Sequence, residues 1–220
     1  HSRWPVRPSN LRGIGLKAAK PLAREFFNRD PRRVARELLG KLVARRDGRT
    51  LLAGRIVEVE AYLGADDAAA HAAAGRTARN EVVFGPPGHA YVYFIYGVHY
   101  CLNISCMPDG HAGCVLIRAL EPVAGVAEMS RRRGLTDFDP QAVPDLRKLA
   151  SGPGRLCEAL RITRPRDNGK DMVGKRSDLQ VVWDGYVPDK ITVTRRVGIS
   201  KSAEMPLRYL IEGNPFVSRK

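Results

Sequence analysis

The chain has 220 residues and carries 37 Lys plus Arg against 23 Asp plus Glu, a formal charge of +14. That length suffices for one full hydrophobic core, and a cationic excess of this size suits a polyanionic partner. No run of about eighteen apolar residues is present, which excludes a membrane-spanning helix, and neither the four cysteines nor the five histidines show a metal-ligand spacing.

The chain begins His1-Ser2 with no initiator methionine, as a truncated start would, so its beginning carries no evidence about a targeting signal. Residues 1–15, with Pro5 and Pro8, read as a flexible arm, and 16–220 as a single domain. Asp30-Pro31 predicts a helix start with an N-cap and an N1 proline. Val34, Leu38 and Leu42 follow as its buried stripe, up to a strand beginning near Leu51.

Strict alternation from Ile56 to Leu63 makes that segment a strand, with Ile56, Glu58, Glu60 and Tyr62 on one face. Two carboxylates therefore share a face with an aromatic ring. Either they face water from a half-exposed strand or one of them is a catalytic acid or base. Residues 64–89 carry no regular signal and are rich in Gly and Pro, as in a long functional loop.

Ala90 to Ser105 packs Tyr91, Tyr93, Tyr96 and Tyr100 around Gly97. The pattern predicts a hairpin with a three-residue tip, Tyr96-Gly97-Val98. In that register Ile95 faces His99, Tyr93 faces Cys101 and Tyr91 faces Asn103, and Tyr91, Tyr93, His99, Cys101 and Asn103 share one face. A further strand is expected over 112–119 with Cys114, Leu116 and Arg118 on one face. After it come a helix ending at Arg131-Arg132-Arg133-Gly134, a loop over 135–150, and a short helix capped by Ser151 through Leu160. Residues 164–178 read as a surface loop, and strands are expected at 179–183, 191–197 and 207–211.

With no internal repeat, the pattern favours one α+β domain built on an antiparallel sheet. Cys101, Cys106, Cys114 and Cys157 read as buried free thiols of a reducing compartment. Arginines scattered from Arg24 to Arg196 predict a broad basic surface suited to DNA backbone.

The ordered segments Glu60-Ala61-Tyr62-Leu63-Gly64 with His71, Arg79-Asn80, Tyr91-Val92-Tyr93, Ile95-Tyr96-Gly97, Asn103-Ile104-Ser105, Val115 to Pro122 and Ser151 to Leu156 resemble the alkyladenine (3-methyladenine) DNA glycosylase family. The likeness runs from about Leu38 to Ser218. It implies a mixed domain with a curved antiparallel sheet, surrounding helices and a protruding hairpin. It further implies a monofunctional, monomeric glycosylase found inside the cell with the DNA. Such an enzyme flips alkylated or deaminated purines, hypoxanthine included, out of double-stranded DNA and hydrolyses the glycosidic bond with no metal and no cofactor. By the same resemblance Glu60 is the catalytic base, helped by Arg118 and a backbone carbonyl at Val197. Tyr62, His71, Tyr93, Asn103 and Leu116 form the base pocket, and Tyr96, Val98 and His99 enter the DNA. Val98 and His99 stand where vertebrate relatives carry bulkier Met and Tyr. Without the resemblance, Glu58 and Glu60 are equivalent. A non-catalytic nucleic-acid-binding module and a hydrolase or transferase acting on nucleotides or RNA remain as rival readings.

Overall fold

The structure, a computed structural model, describes residues 19–95 and 97–218. The predicted N-terminal arm, Tyr96, Arg219 and Lys220 lie outside the described residues. A two-residue strand β1 (Lys20–Pro21) leads to helices α1 (Arg24–Phe27) and α2 (Pro31–Leu38). Helix α2 starts as expected, with the Asp30 side chain accepting from the Arg32 N–H at 2.8 Å and Pro31 in the first turn. Val34 and Leu38 are its buried stripe.

Leu42 does not continue that stripe. The helix stops at Leu38, Gly40 takes φ +86°, and Leu42 opens strand β2 (Leu42–Asp47). A Cβ on Gly40 would lie 2.9 Å from the Tyr186 ring, so the turn requires glycine twice over. The sequence hid β2 behind Arg45, Arg46 and Asp47. Arg45 is nonetheless fully buried, because Asp167 meets its guanidinium at 2.7 Å.

A tight turn through Gly48 leads into strand β3 (Thr50–Tyr62), the longest of the sheet. Strands β4 (Ala90–Ile95) and β5 (His99–Ser105) follow the long loop. They pair Ile95 with His99, Tyr93 with Cys101 and Tyr91 with Asn103, which is the predicted register. Gly97 has φ +66°, as a tip glycine should. Strand β6 (Cys114–Ala124) runs five residues past its expected end at Ala119. Helix α3 (Val126–Arg132) then ends on the basic run.

The expected loop over 135–150 contains helix α4 (Val143–Ala150), whose Pro144 sits in the first turn, where proline starts rather than breaks a helix. Helix α5 (Pro153–Ala159) is capped by Gly152 and not by Ser151, which closes α4 and bridges to Ala119. The expected surface loop after 164 opens with helix α6 (Arg164–Asp167), and its Asp167 is the buried partner of Arg45. Strands β7 (Leu179–Trp183), β8 (Ile191–Thr194) and β9 (Arg208–Ile211) complete the chain.

All strands join one antiparallel sheet in the order β1-β7-β2-β3-β6-β5-β4, with β9 attached to β3 and β8 to β9. One edge of β3 pairs β2 up to Arg55 and then β9 over Glu58–Glu60, while the other edge pairs β6. This hand-over, with bulges against β6 on either side of Glu58, curls the sheet. Helices α2, α4 and α5 pack against the curled sheet, and Leu38, Val57, Ile117, Leu149 and Leu156 belong to the one main core of this mixed domain. The four cysteines are buried and unpaired, as expected.

Candidate active site

At the end of β3 a cleft of about 660 Å³ opens between the β4–β5 hairpin, β6, the loop after β3, the start of α5 and the segment around Val197. Of the residues singled out from the sequence, Tyr62, His71, Tyr93, His99, Asn103, Leu116, Arg118 and Val197 line it. Glu60 lies directly behind that wall, fully buried and in contact with three of the lining residues. Val98 is not part of the lining; it is 65 % exposed at the hairpin tip. Tyr96 is outside the described residues.

The two glutamates that the sequence could not separate have different surroundings. Neither faces water, which removes the half-exposed-strand reading. Glu58 Oε1 accepts from Arg118 Nε at 2.9 Å and Arg208 Nε at 2.8 Å, and its Oε2 accepts from the Ser218 N–H at 2.6 Å. Burial acts to raise this carboxyl, yet the Ser218 amide and the two guanidiniums hold it below the ordinary carboxylate range. It is an ionised anchor with its acceptors committed.

Glu60 is held more lightly. Its Oε1 accepts from the Val197 N–H at 2.7 Å and lies 3.3 Å from Arg118 NH1, and its Oε2 accepts from the Tyr62 hydroxyl at 3.0 Å. Val197 thus meets Glu60 through its amide nitrogen, an atom separate from the carbonyl to which the resemblance gives a helping role. Arg118 spans both carboxylates and is itself buried. Burial acts to lower its pKa, but the charges of Glu60 and Glu58 more than offset this and hold it a cation.

The aromatic lining is built in layers. The Tyr62 ring carries the Arg196 guanidinium 4.7 Å from its centroid, an arrangement with cation–π character. Arg196 is fixed from below by Asp67 and the Ala61 carbonyl. In the same lining, His71 meets Tyr93 edge-on with ring centroids 4.5 Å apart and shares a 2.9 Å hydrogen bond between its Nδ1 and the Tyr91 hydroxyl. Burial, reinforced by the charge of Arg79, lowers the His71 pKa and keeps the ring neutral at neutral pH. Burial also pushes the Tyr91 phenol up to about 12. Asn103 donates from Nδ2 to the Tyr91 carbonyl at 3.2 Å, so its amide is fixed at the pocket wall.

Several residues that build this site were not singled out. Tyr91 was placed on the correct face but given no part, although it is buried and holds His71. Asp67, Arg208 and Ser218 carry no local pattern that marks them. Asn80, read in the sequence only as part of a motif, staples the long loop by accepting from the Thr77 N–H and donating to the His71 and Gly75 carbonyls.

The basic surface is narrower than the scatter of arginines implies. Arg45 and Arg196 are buried in ion pairs, and Arg132 and Arg166 converge on Asp47. Exposed arginines include Arg155, which lines the cleft, together with Arg79, Arg161, Arg164 and Arg195.

A comparison with family models matches residues 25–215 to "Methylpurine-DNA glycosylase". Among curated proteins, one from Koribacter versatilis is 65 % identical over 93 % of this chain and 96 % of its own length. Relatives from Methanoculleus marisnigri (48 % identical, covering 89 % of this chain and 97 % of theirs) and Burkholderia cenocepacia (47 %, 89 % of both) are similar over nearly the same span. All three bear the name "Putative 3-methyladenine DNA glycosylase". A match over most of the chain, reinforced by relatives this similar, means that the chain belongs to the methylpurine-DNA glycosylase family and is a DNA glycosylase.

Proposed function

We propose that this protein excises N-alkylated purines, 3-methyladenine among them, and deaminated purines such as hypoxanthine from duplex DNA, leaving a free base and an abasic site. The observation that carries this reading is the place of Glu60, a dry carboxylate set immediately behind an aromatic-lined cleft and touched by three groups of its wall. A base that leaves the helix loses its stacking, and Tyr62 on one side with Tyr93 and His71 on the other replace it. Alkylation at N3 or N7 makes the base cationic, which favours electron-rich ring faces and makes it a good leaving group.

In the proposed reaction Glu60 takes a proton from water as the water oxygen bonds to C1′. The C1′–N bond breaks, and its electron pair departs with the base. Arg118 steadies the carboxylate, and Asn103 at the wall crowds the exocyclic amino group of guanine. The β4–β5 hairpin tip, with Tyr96 as wedge flanked by Val98 and His99, fills the gap left by the extruded nucleotide.

The test is incubation of the protein with duplexes carrying single hypoxanthine, 3-methyladenine, 7-methylguanine or ethenoadenine residues, followed by detection of free base and abasic sites. Release is expected to persist with chelator and to leave no borohydride-trapped adduct, since water is the nucleophile and no lysine forms a Schiff base. Release of none of the four overturns the proposal.

A further inference from the structure

Tyr62 ends β3 two residues after Glu60 on the same face, and it does more than present a ring to the cleft. Its hydroxyl donates to Glu60 Oε2 at 3.0 Å, while the Val197 N–H and Arg118 both address Oε1, at 2.7 and 3.3 Å. Each carboxylate oxygen offers about two acceptor positions. Among the described residues, Oε1 therefore carries one hydrogen bond and the guanidinium contact, whereas Oε2 carries the Tyr62 hydroxyl alone. The two oxygens are not equivalent, and Tyr62 is the group that makes Oε2 distinct.

The phenol is fixed where it can do this. Arg196 lies against its ring, and Asp67 holds Arg196 through both carboxylate oxygens. The ring cannot turn away without losing that support. Burial first, and then the charge of Glu60, raise the Tyr62 pKa well above its ordinary value, so the phenol keeps its proton and remains a donor.

We infer that Tyr62 is a positioning residue for Glu60: its hydroxyl sets the carboxylate so that Oε2, through its remaining lone pair, takes the proton of the attacking water. This rests on the glycosylase reading above. The step is balanced: the water oxygen forms the bond to C1′, the C1′–N bond breaks with its electrons passing to the base, and the water proton moves to Oε2. Tyr62 keeps its own proton throughout. One side chain then joins base recognition to proton transfer, through its ring and its hydroxyl respectively.

Tyr62→Phe separates the two, because it keeps the ring against both the base and Arg196 and removes only the donor. Single-turnover release of hypoxanthine and of 7-methylguanine is measured alongside binding of the lesion duplex, so that rate and affinity are read separately. Binding is expected to stay within about threefold of wild type while the plateau rate falls about tenfold, the scale of one lost hydrogen bond to a charged group. A wild-type rate, or a loss of rate matched by equally weaker binding, overturns the inference and leaves Tyr62 a stacking surface. A wild type that releases no base removes the glycosylase reading first, and this inference with it.

Discussion

Asp67 grips Arg196 through both of its carboxylate oxygens, at 2.5 and 2.8 Å, and neither side chain reaches solvent. The pair ties the loop after β3 to the segment that delivers Val197, and it does so under the Tyr62 ring. Asp67→Asn removes the counter-charge and leaves a guanidinium in a dry site. Such a loss costs about 3–5 kcal/mol. Chemical denaturation should show a drop on that scale, and in a domain of this size the melting temperature should fall by on the order of ten degrees. A melt within a degree or two of wild type contradicts the assignment.

The two glutamates of β3 should fail in different ways. Glu60→Gln keeps size and polarity but cannot act as base, so base release should fall by about a thousandfold or more while lesion binding and melting temperature stay near wild type. Glu58→Gln should lose much less activity, and its main effect should be on stability, because it weakens the acceptors of Arg118, Arg208 and the Ser218 amide. Equal loss of turnover in both variants, at equal stability, would show that the carboxylates share the chemistry.

Acid should weaken the fold in a definite window. Asp67 is subject to desolvation, which raises it, but Arg196 and two backbone amides hold it below its ordinary value; Glu58 is held low by the Ser218 amide and its two arginines. Both therefore contribute stability that is fully present above the unfolded-chain carboxylate range, near about pH 4, and is lost as pH falls through their lower folded values. Urea midpoints measured from pH 7 down to 3 should be flat at first and then fall steeply at the acid end. A midpoint that rises on acidification would reverse the assigned direction.

Duplex binding should weaken steeply with salt, because lysines and arginines that neutralise phosphates release counterions. The buried pairs Arg45–Asp167 and Arg196–Asp67 cancel within the net +14, so the log–log slope should report only the exposed cations that reach phosphates, Arg155 at the cleft among them. A flat response between low and physiological salt would separate the charge from DNA binding.

Asn103→Ser should raise excision of guanine-type bases relative to hypoxanthine, since the amide fixed on the Tyr91 carbonyl would no longer crowd the exocyclic amino group. Release rates for both bases in wild type and variant decide this. An unchanged ratio removes Asn103 from the selectivity filter and leaves Glu60 unaffected.

How much of this was legible depended on how far each residue's partners lie along the chain. The hairpin register was readable because its pairs are a few residues apart and Gly97 marks the turn. Period-two alternation likewise put Glu60 and Tyr62 on one face. It could not distinguish Glu60 from Glu58, because Arg208 and Ser218, which commit Glu58, are remote in sequence. Strand β2 was missed for the same reason: Arg45 looks like a solvated residue until Asp167 arrives beside it. Helix α4 was lost to a local ambiguity, since Pro144 marks a helix start as readily as a loop.

The order in which the chain is made sets a condition on this site. Glu58 waits for Arg118, 60 residues later, for Arg208, 150 later, and for Ser218, 160 later; Glu60 waits 137 residues for Val197. During synthesis β3 emerges early with two anions destined for a dry interior and no counter-groups yet in existence. The carboxylate pair therefore cannot be fully partnered until nearly the whole chain has been made. A nascent or clipped chain that stops short of Val197 lacks the amide that meets Glu60 and the Arg208 and Ser218 groups that meet Glu58, so both carboxylates are left without part of their partners.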